Sequence, residues 1–123
     1  MARILVVDDE PDFRRIVSRM LTGAGYDVEE AADGRQAIEA YRARRSDVVL
    51  ADLYMPDIDG VEAIIRLRHE FPDVRIIAVS GGGHLGKEDV LKIAAGVGAQ
   101  ATLAKPLEKK TLLATVEQVL GDR

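Results

Sequence analysis

Three observations predict an α/β fold with a parallel sheet and helices on both faces. Five short apolar stretches recur along the 123 residues, amphipathic helical patterns separate them, and glycine, proline and acidic caps mark the joins. The first stretch, Arg3 to Asp8, is uninterruptedly apolar from Ile4 to Val7, as a strand buried on both faces is. Pro11 suits the first position of the helix that follows, where Phe13, Ile16, Val17, Met20 and Leu21 have the spacing of one buried stripe before Gly23. In Tyr26 to Ala31 the residues Asp27, Glu29 and Glu30 interrupt the apolar pattern, which predicts a half-exposed edge strand. Asp33 with Gln36 reads as a capping box for the second helix, and Asp59 with Glu62 as one for the third, on either side of a strand at Asp47 to Ala51. Val74 to Val79 and Ala101 to Ala104 are the last two strands, joined by a helix that stops near Gly98. Leu112, Val116, Val119 and Leu120 repeat the buried stripe in a final helix ending near Gly121.

Composition narrows the function. No Ser/Gly linker, repeat of the leucine-rich type or like-charge tail divides the chain, so a single domain, residues 1–123, is expected. With no Cys and only His69 and His84, disulfide frameworks, thiolate zinc sites and imidazole-rich metal sites are excluded, and any metal must be held by oxygen. A formal charge of -4, a pI near 5.2 and the absence of Trp argue against direct nucleic-acid binding. No apolar run is long enough for a signal peptide or a membrane span, so a soluble, cytoplasmic protein without membrane insertion is expected.

In an open parallel sheet, ligands bind beyond the carboxyl ends of the strands. The residues there are Asp8 and Asp9 after the first strand, Asp52 after the third, Ser80 after the fourth and Lys105 after the fifth. Three carboxylates on one rim repel each other unless a cation neutralises them, and oxygen donors without His or Cys suit Mg²⁺. Asp8 and Asp9 could equally cap the next helix, whereas Asp52 is not needed as a cap, because the third helix starts later, at Asp59. Lys105 can pair with a carboxylate or a phosphoryl oxygen, and Ser80 can donate a hydrogen bond to one. Together these groups suit attack by an Asp carboxylate on phosphorus, giving an aspartyl phosphate, with Mg²⁺ and Lys105 offsetting the developing charge.

The stretches Ile4-Leu5-Val6-Val7-Asp8-Asp9-Glu10, Asp52-Leu53-Tyr54-Met55-Pro56-Asp57-Ile58-Asp59-Gly60 and Ala78-Val79-Ser80, then Gly98-Ala99 ahead of Lys105-Pro106, carry a family likeness. In that order, and over essentially the whole chain, they resemble the receiver domains of two-component response regulators. The resemblance implies a flavodoxin-like, doubly wound, five-stranded parallel sheet of order 2-1-3-4-5 with five helices. It implies a stand-alone, chemotaxis-type receiver phosphorylated by a histidine kinase or histidine phosphotransfer protein, with an unnamed downstream protein target or a role as a phosphate sink. Asp52 would be the phosphoacceptor, Asp9 and Asp52 would ligate Mg²⁺ together with the backbone carbonyl of Tyr54, and Asp8 would act through metal-bound water. Ser80 and Lys105 would contact the phosphoryl group, and the Lys105-Pro106 bond would be cis. No enzymatic activity is expected beyond Mg²⁺-dependent self-phosphorylation and self-dephosphorylation at that one Asp.

Two departures bear on output. The position three before the lysine, usually Tyr or Phe, is Thr102, and Ser80 is followed by Gly81-Gly82-Gly83. With no ring to turn, the largest change on activation is expected in residues 81 to 90, through the loop after the fourth strand and the start of the next helix. Other readings are weaker. Gly81 to Lys87 nearly spells a phosphate-binding G-x-x-x-x-G-K loop, but Glu88 stands where a metal-binding Ser or Thr belongs. A Mg²⁺-dependent phosphatase with an Asp nucleophile would carry a second Asp two residues on, where this chain has Tyr54. Tyr54 itself is either a rim aromatic or a shield for the acyl phosphate, and Arg14, Arg15 and Arg19 are expected to form a solvated helix face.

Overall fold

The computed structural model describes residues 2–53, 60–81, 92–93 and 95–121. Its elements are β1 (Arg3–Val7), α1 (Pro11–Gly23), β2 (Asp27–Ala31), α2 (Gly34–Ala43), β3 (Val48–Asp52), α3 (Gly60–Glu70), β4 (Ile76–Ser80), β5 (Ala101–Ala104) and α4 (Lys109–Gly121). All strand pairs are parallel, in the order β2-β1-β3-β4-β5. Four helices stand among the described elements instead of the five expected. Of the helix expected between β4 and β5, only Lys92, Ile93, Ala95 and Gly96 are described, and these are helical. Tyr54, the Asp59 cap and the glycine-loop residues from Gly82 onward lie outside the described residues.

The uninterrupted apolar runs have a simple origin. Successive strand side chains point to opposite faces, and both faces are covered. Leu5, Val7, Val49, Ala51, Ile76 and Ala78 pack with Ile38 and Tyr41 of α2 and Ile64 and Leu67 of α3. Ile4, Val6, Val48, Leu50, Ile77, Val79 and Leu103 pack with Val17 and Leu21 of α1 and Leu112, Val116 and Val119 of α4. The same alternation, continued by one step, places Asp8, Asp52 and Lys105 on the α1 side of the sheet.

β2 is an edge strand, as its acids predict, and those acids are tied down rather than merely solvated. Arg3 Nη1 donates to Asp27 at 2.9 Å, Arg3 Nη2 pairs with Glu29, and Arg14 Nε donates to Glu30 at 2.9 Å. Arg14 is therefore no part of a solvated face: its other donor, Nη1, binds the carbonyl of Asp8 at 2.7 Å. The α1 stripe is also narrower than its spacing predicts. Ile16 is 53% exposed, because the face that meets the sheet centres on Val17 and Leu21 and takes in Ser18 instead. Gly25 and Gly98 have positive φ, so the turns leaving α1 and entering β5 use the conformation that side chains disfavour.

Candidate functional site

The strand ends set the site. Val7 pairs with Ala51, Asp52 with Val79 and Ser80 with Ala104, so the residues that follow β1, end β3 and follow β5 come level at one edge. Asp8 and Asp52 are buried, at 1% and 3% exposure, and Asp8 is anchored by its own N–H to the Ala31 carbonyl at 3.1 Å. The Lys105 N–H donates to the Ser80 carbonyl at 2.7 Å, and the Lys105-Pro106 peptide is cis. From there the side chain crosses the sheet edge. Its Nζ lies 3.0 Å from Asp8 Oδ2, 3.2 Å from Asp52 Oδ2 and 2.9 Å from Glu10 Oε1, and 4.2 Å from the centre of the Phe13 ring.

Two glycines make room for this arrangement. A Cβ on Gly60 would lie 1.7 Å from the Asp52 carbonyl oxygen, and one on Gly81 would lie 2.4 Å from the Lys105 Cβ. Gly81 thus serves close approach rather than positive φ, the use that its place in a glycine run suggests.

Partial burial alone would lower the Lys105 pKa, but its close pairing with Glu10 and Asp8 and the field of Asp52 outweigh it and raise it well above the ordinary lysine value. Lys105 is therefore a fixed positive charge at neutral pH. It faces three carboxylates, whose nearest oxygens all lie within 4.8 Å of one another. Among the described residues, one ammonium faces these three carboxylates. Asp8 Oδ2 is buried, ion-paired to Lys105 off the line of a hydrogen bond, and accepts no hydrogen bond. A buried carboxylate oxygen with spare capacity, in a set of three oxygen donors, fits a hard divalent cation such as Mg²⁺.

The residues singled out in the sequence are distributed as follows. Asp8, Asp52 and Lys105 meet directly, and Ser80 ends β4 beside them, half-buried. Asp9 is exposed and lies outside the carboxylate group in which Glu10 stands instead. Asp9 and Asp52 are expected from the sequence to share a bound Mg²⁺; among the side chains themselves it is Glu10 that stands beside Asp52, and the reason is local. Asp8 faces inward, its Oδ1 accepts the Glu10 N–H at 2.9 Å, and that turn brings residue 10 back over the site while residue 9 faces away. Neither Asp8 nor Asp9 is the N-cap of α1, which is Glu10, with no capping hydrogen bond from its side chain. Tyr54 lies outside the described residues. Sequence reasoning missed Glu10, Phe13, Gly60 and Gly81 as parts of the site. Glu10 and Gly60 stand inside the quoted motifs, and the i, i+3 spacing from Glu10 to Phe13 would have placed the ring beside the rim.

The fold and site together define a doubly wound α/β domain with a lysine and an acidic cluster at the carboxyl edge of its parallel sheet. Residues 4–117 match the response regulator receiver domain, and the chain belongs to that family. It is 34% identical to chemotaxis protein CheY of Treponema pallidum over 121 residues, covering 96% of this chain and 82% of that protein. It is 31% identical to CheY of Thermotoga maritima, covering 95% of this chain and 96% of that protein. Among solved structures it is similar to chemotaxis protein CheY4 of Vibrio cholerae, with a TM-score of 0.87 and 35% identity, covering 97% of this chain and 98% of that one. The chain is thus a receiver domain of two-component signalling. Among the described residues, no helix is long and apolar enough to cross a membrane.

Proposed function

We propose that this receiver accepts a phosphoryl group on Asp52 from a phosphohistidine of a histidine kinase or histidine phosphotransfer protein. The observation that carries the reading is the Lys105 ammonium bridging the buried carboxylates of Asp8 and Asp52, a charge set matched to a phosphoryl group and a divalent cation. An Asp52 carboxylate oxygen attacks phosphorus, and the bond from phosphorus to the donor imidazole breaks. Its electron pair stays on the imidazole nitrogen, which takes a proton from solvent. Lys105, protonated throughout, pairs with phosphoryl oxygens, and the Ser80 hydroxyl donates to another. Mg²⁺, when bound, supplies Lewis-acid offset of the phosphoryl charge. Asp8 and Asp52 would hold it from inside and Asp9 from the exposed rim, with the Tyr54 carbonyl as a further oxygen.

The output would be a surface change near the loop after β4. Its support is that Thr102, paired with Ala78 inside the sheet, offers no ring to turn, whereas Gly81 packs against the stem of the lysine that would meet the phosphoryl group.

Intact mass after incubation with a small-molecule phosphodonor tests the proposal. The wild-type chain should gain one phosphoryl group with Mg²⁺ and none without it, and Asp52→Asn should gain none. Undiminished labelling of Asp52→Asn would remove Asp52 as the acceptor. Continuous turnover of the donor without stoichiometric labelling would point to a phosphatase instead.

A further inference from the structure

We infer that Glu10 is an internal stand-in for the phosphoryl group: its carboxylate holds the Lys105 ammonium until a phosphoryl oxygen displaces it. The inference deepens the phosphoacceptor reading and rests on it. An ammonium offers three N–H donors, and three carboxylate oxygens lie within 3.2 Å of the Lys105 Nζ, with the Phe13 ring against it as well. Two of those oxygens, of Glu10 and Asp52, accept hydrogen bonds and the third, of Asp8, is in ion contact, so an arriving phosphoryl oxygen competes with them for the ammonium.

The three differ in what leaving costs. The side chains of Asp8 and Asp52 are 2% and 4% exposed, whereas that of Glu10 is 64% exposed. Separating a carboxylate from its cation costs more where water cannot reach it than at an exposed site, where it is resolvated at once. Glu10 is therefore the partner that leaves. Its backbone is fixed for the purpose: the Glu10 N–H is bound by Asp8 Oδ1 at 2.9 Å, and the residue is the N-cap of α1 without using its carboxylate as a cap. That carboxylate has the reach of a glutamate, and an aspartate in its place is one methylene short of Lys105.

The consequence is competition between Glu10 and the phosphoryl group for Lys105, which weakens phosphoryl binding in proportion to the Glu10 contact. Beryllofluoride, a stable phosphoryl mimic, is the probe. It is titrated into the full chain at saturating Mg²⁺, with backbone amide NMR reporting the bound fraction, and Mg²⁺ affinity is measured separately in its absence. Glu10→Gln should lower the half-saturating beryllofluoride concentration about three- to fivefold, the size of an exposed ion pair's net contribution, with Mg²⁺ affinity altered less. Glu10→Asp keeps the charge but loses the contact, so it should behave like Glu10→Gln. Asp12→Asn, which removes a charge from a 96% exposed side chain two residues on, should change little.

Equal beryllofluoride affinity in wild type and Glu10→Gln would overturn the inference. So would a Glu10→Asp variant that matches wild type, since charge alone would then explain the effect, or a tenfold loss of Mg²⁺ affinity in Glu10→Gln, which would make Glu10 a metal ligand. If the wild-type chain itself gave no response to Mg²⁺ and beryllofluoride, the phosphoacceptor reading would fail first and take this inference with it.

Discussion

Among the described residues, the Lys105 ammonium pairs with two carboxylates that are closed off from water. Removing one partner of a buried ion pair costs about 3–5 kcal/mol, because the remaining charge has neither solvent nor counter-ion. Lys105→Met keeps most of the side-chain volume and removes the charge. It should lower unfolding free energy by about 3 kcal/mol in urea titrations without metal. Millimolar Mg²⁺ should restore more stability to this variant than it adds to wild type, since a ligand that binds only the folded state stabilises it by mass action. A variant as stable as wild type in the presence of chelator would show that Asp8 and Asp52 do not depend on Lys105. Gly60 makes a second residue-scale prediction. Its absent Cβ leaves room for the Asp52 carbonyl, which is backbone and cannot rotate away. Gly60→Ala should destabilise by at least about 1–3 kcal/mol, the range for overpacking, and should shift the Asp52 amide resonance. Gly81→Ala meets a flexible lysine stem instead and should be milder in stability.

Among the elements, the helix starts show how local chemistry is spent. Asp33 Oδ1 accepts the Gln36 N–H at 2.8 Å, and Gln36 Oε1 accepts the Ala32 N–H at 2.9 Å, one residue beyond the reciprocal partner of a standard capping box. Both bonds serve α2 alone. Asp33→Ala should therefore cost about 1 kcal/mol of unfolding free energy and leave phosphorylation unchanged, and a variant with altered labelling would tie α2 to the site. Glu10 holds the equivalent position at α1 yet gives its side chain to Lys105, so the first turn of α1 goes without a side-chain cap. The α1 stripe and the β2 acids were legible as periodicity. Which residue of a stripe faces outward was not, because the orientation of α1 on the sheet decides whether Ile16 or Ser18 is covered. The three arginines of α1 look alike in sequence, but only Arg14 lies where both Glu30 and the Asp8 carbonyl can be reached.

Over the whole molecule, the raised lysine makes a pH prediction with a definite sign. Lys105 keeps its proton in the folded chain to higher pH than in the unfolded chain, because Glu10, Asp8 and Asp52 outweigh the effect of burial. Its stabilising contribution is fully present below the unfolded value, about 10.4, and is lost as pH rises through the higher folded value. Tyr41 acts in the same direction: burial, then Asp73, raises its hydroxyl pKa, so the unfolded chain ionises first. Stability measured by urea unfolding should fall from about pH 10 upward, starting at the ordinary lysine and tyrosine values. Lys105→Met and Tyr41→Phe should each flatten that fall. A stability profile as steep in both variants as in wild type would remove these groups as its source.

The order of strands and helices, the doubly covered sheet and the rim position of Asp8, Asp52, Ser80 and Lys105 could all be read from the sequence. Each follows from short-range period and from the rule that polar residues after apolar strands gather at the carboxyl edge. The partners of Lys105 could not. Asp9 and Glu10 are adjacent carboxylates, and only the turn fixed by the Asp8 side chain sets one outward and the other over the ammonium. Likewise a glycine's value at residue 60 or 81 depends on which atoms pass beside it, the Asp52 carbonyl at the end of β3 and the Lys105 stem after β5, and those belong to other elements. Periodicity is a property of one segment, whereas close approach and charge pairing belong to several segments at once, so the tertiary structure alone decided them.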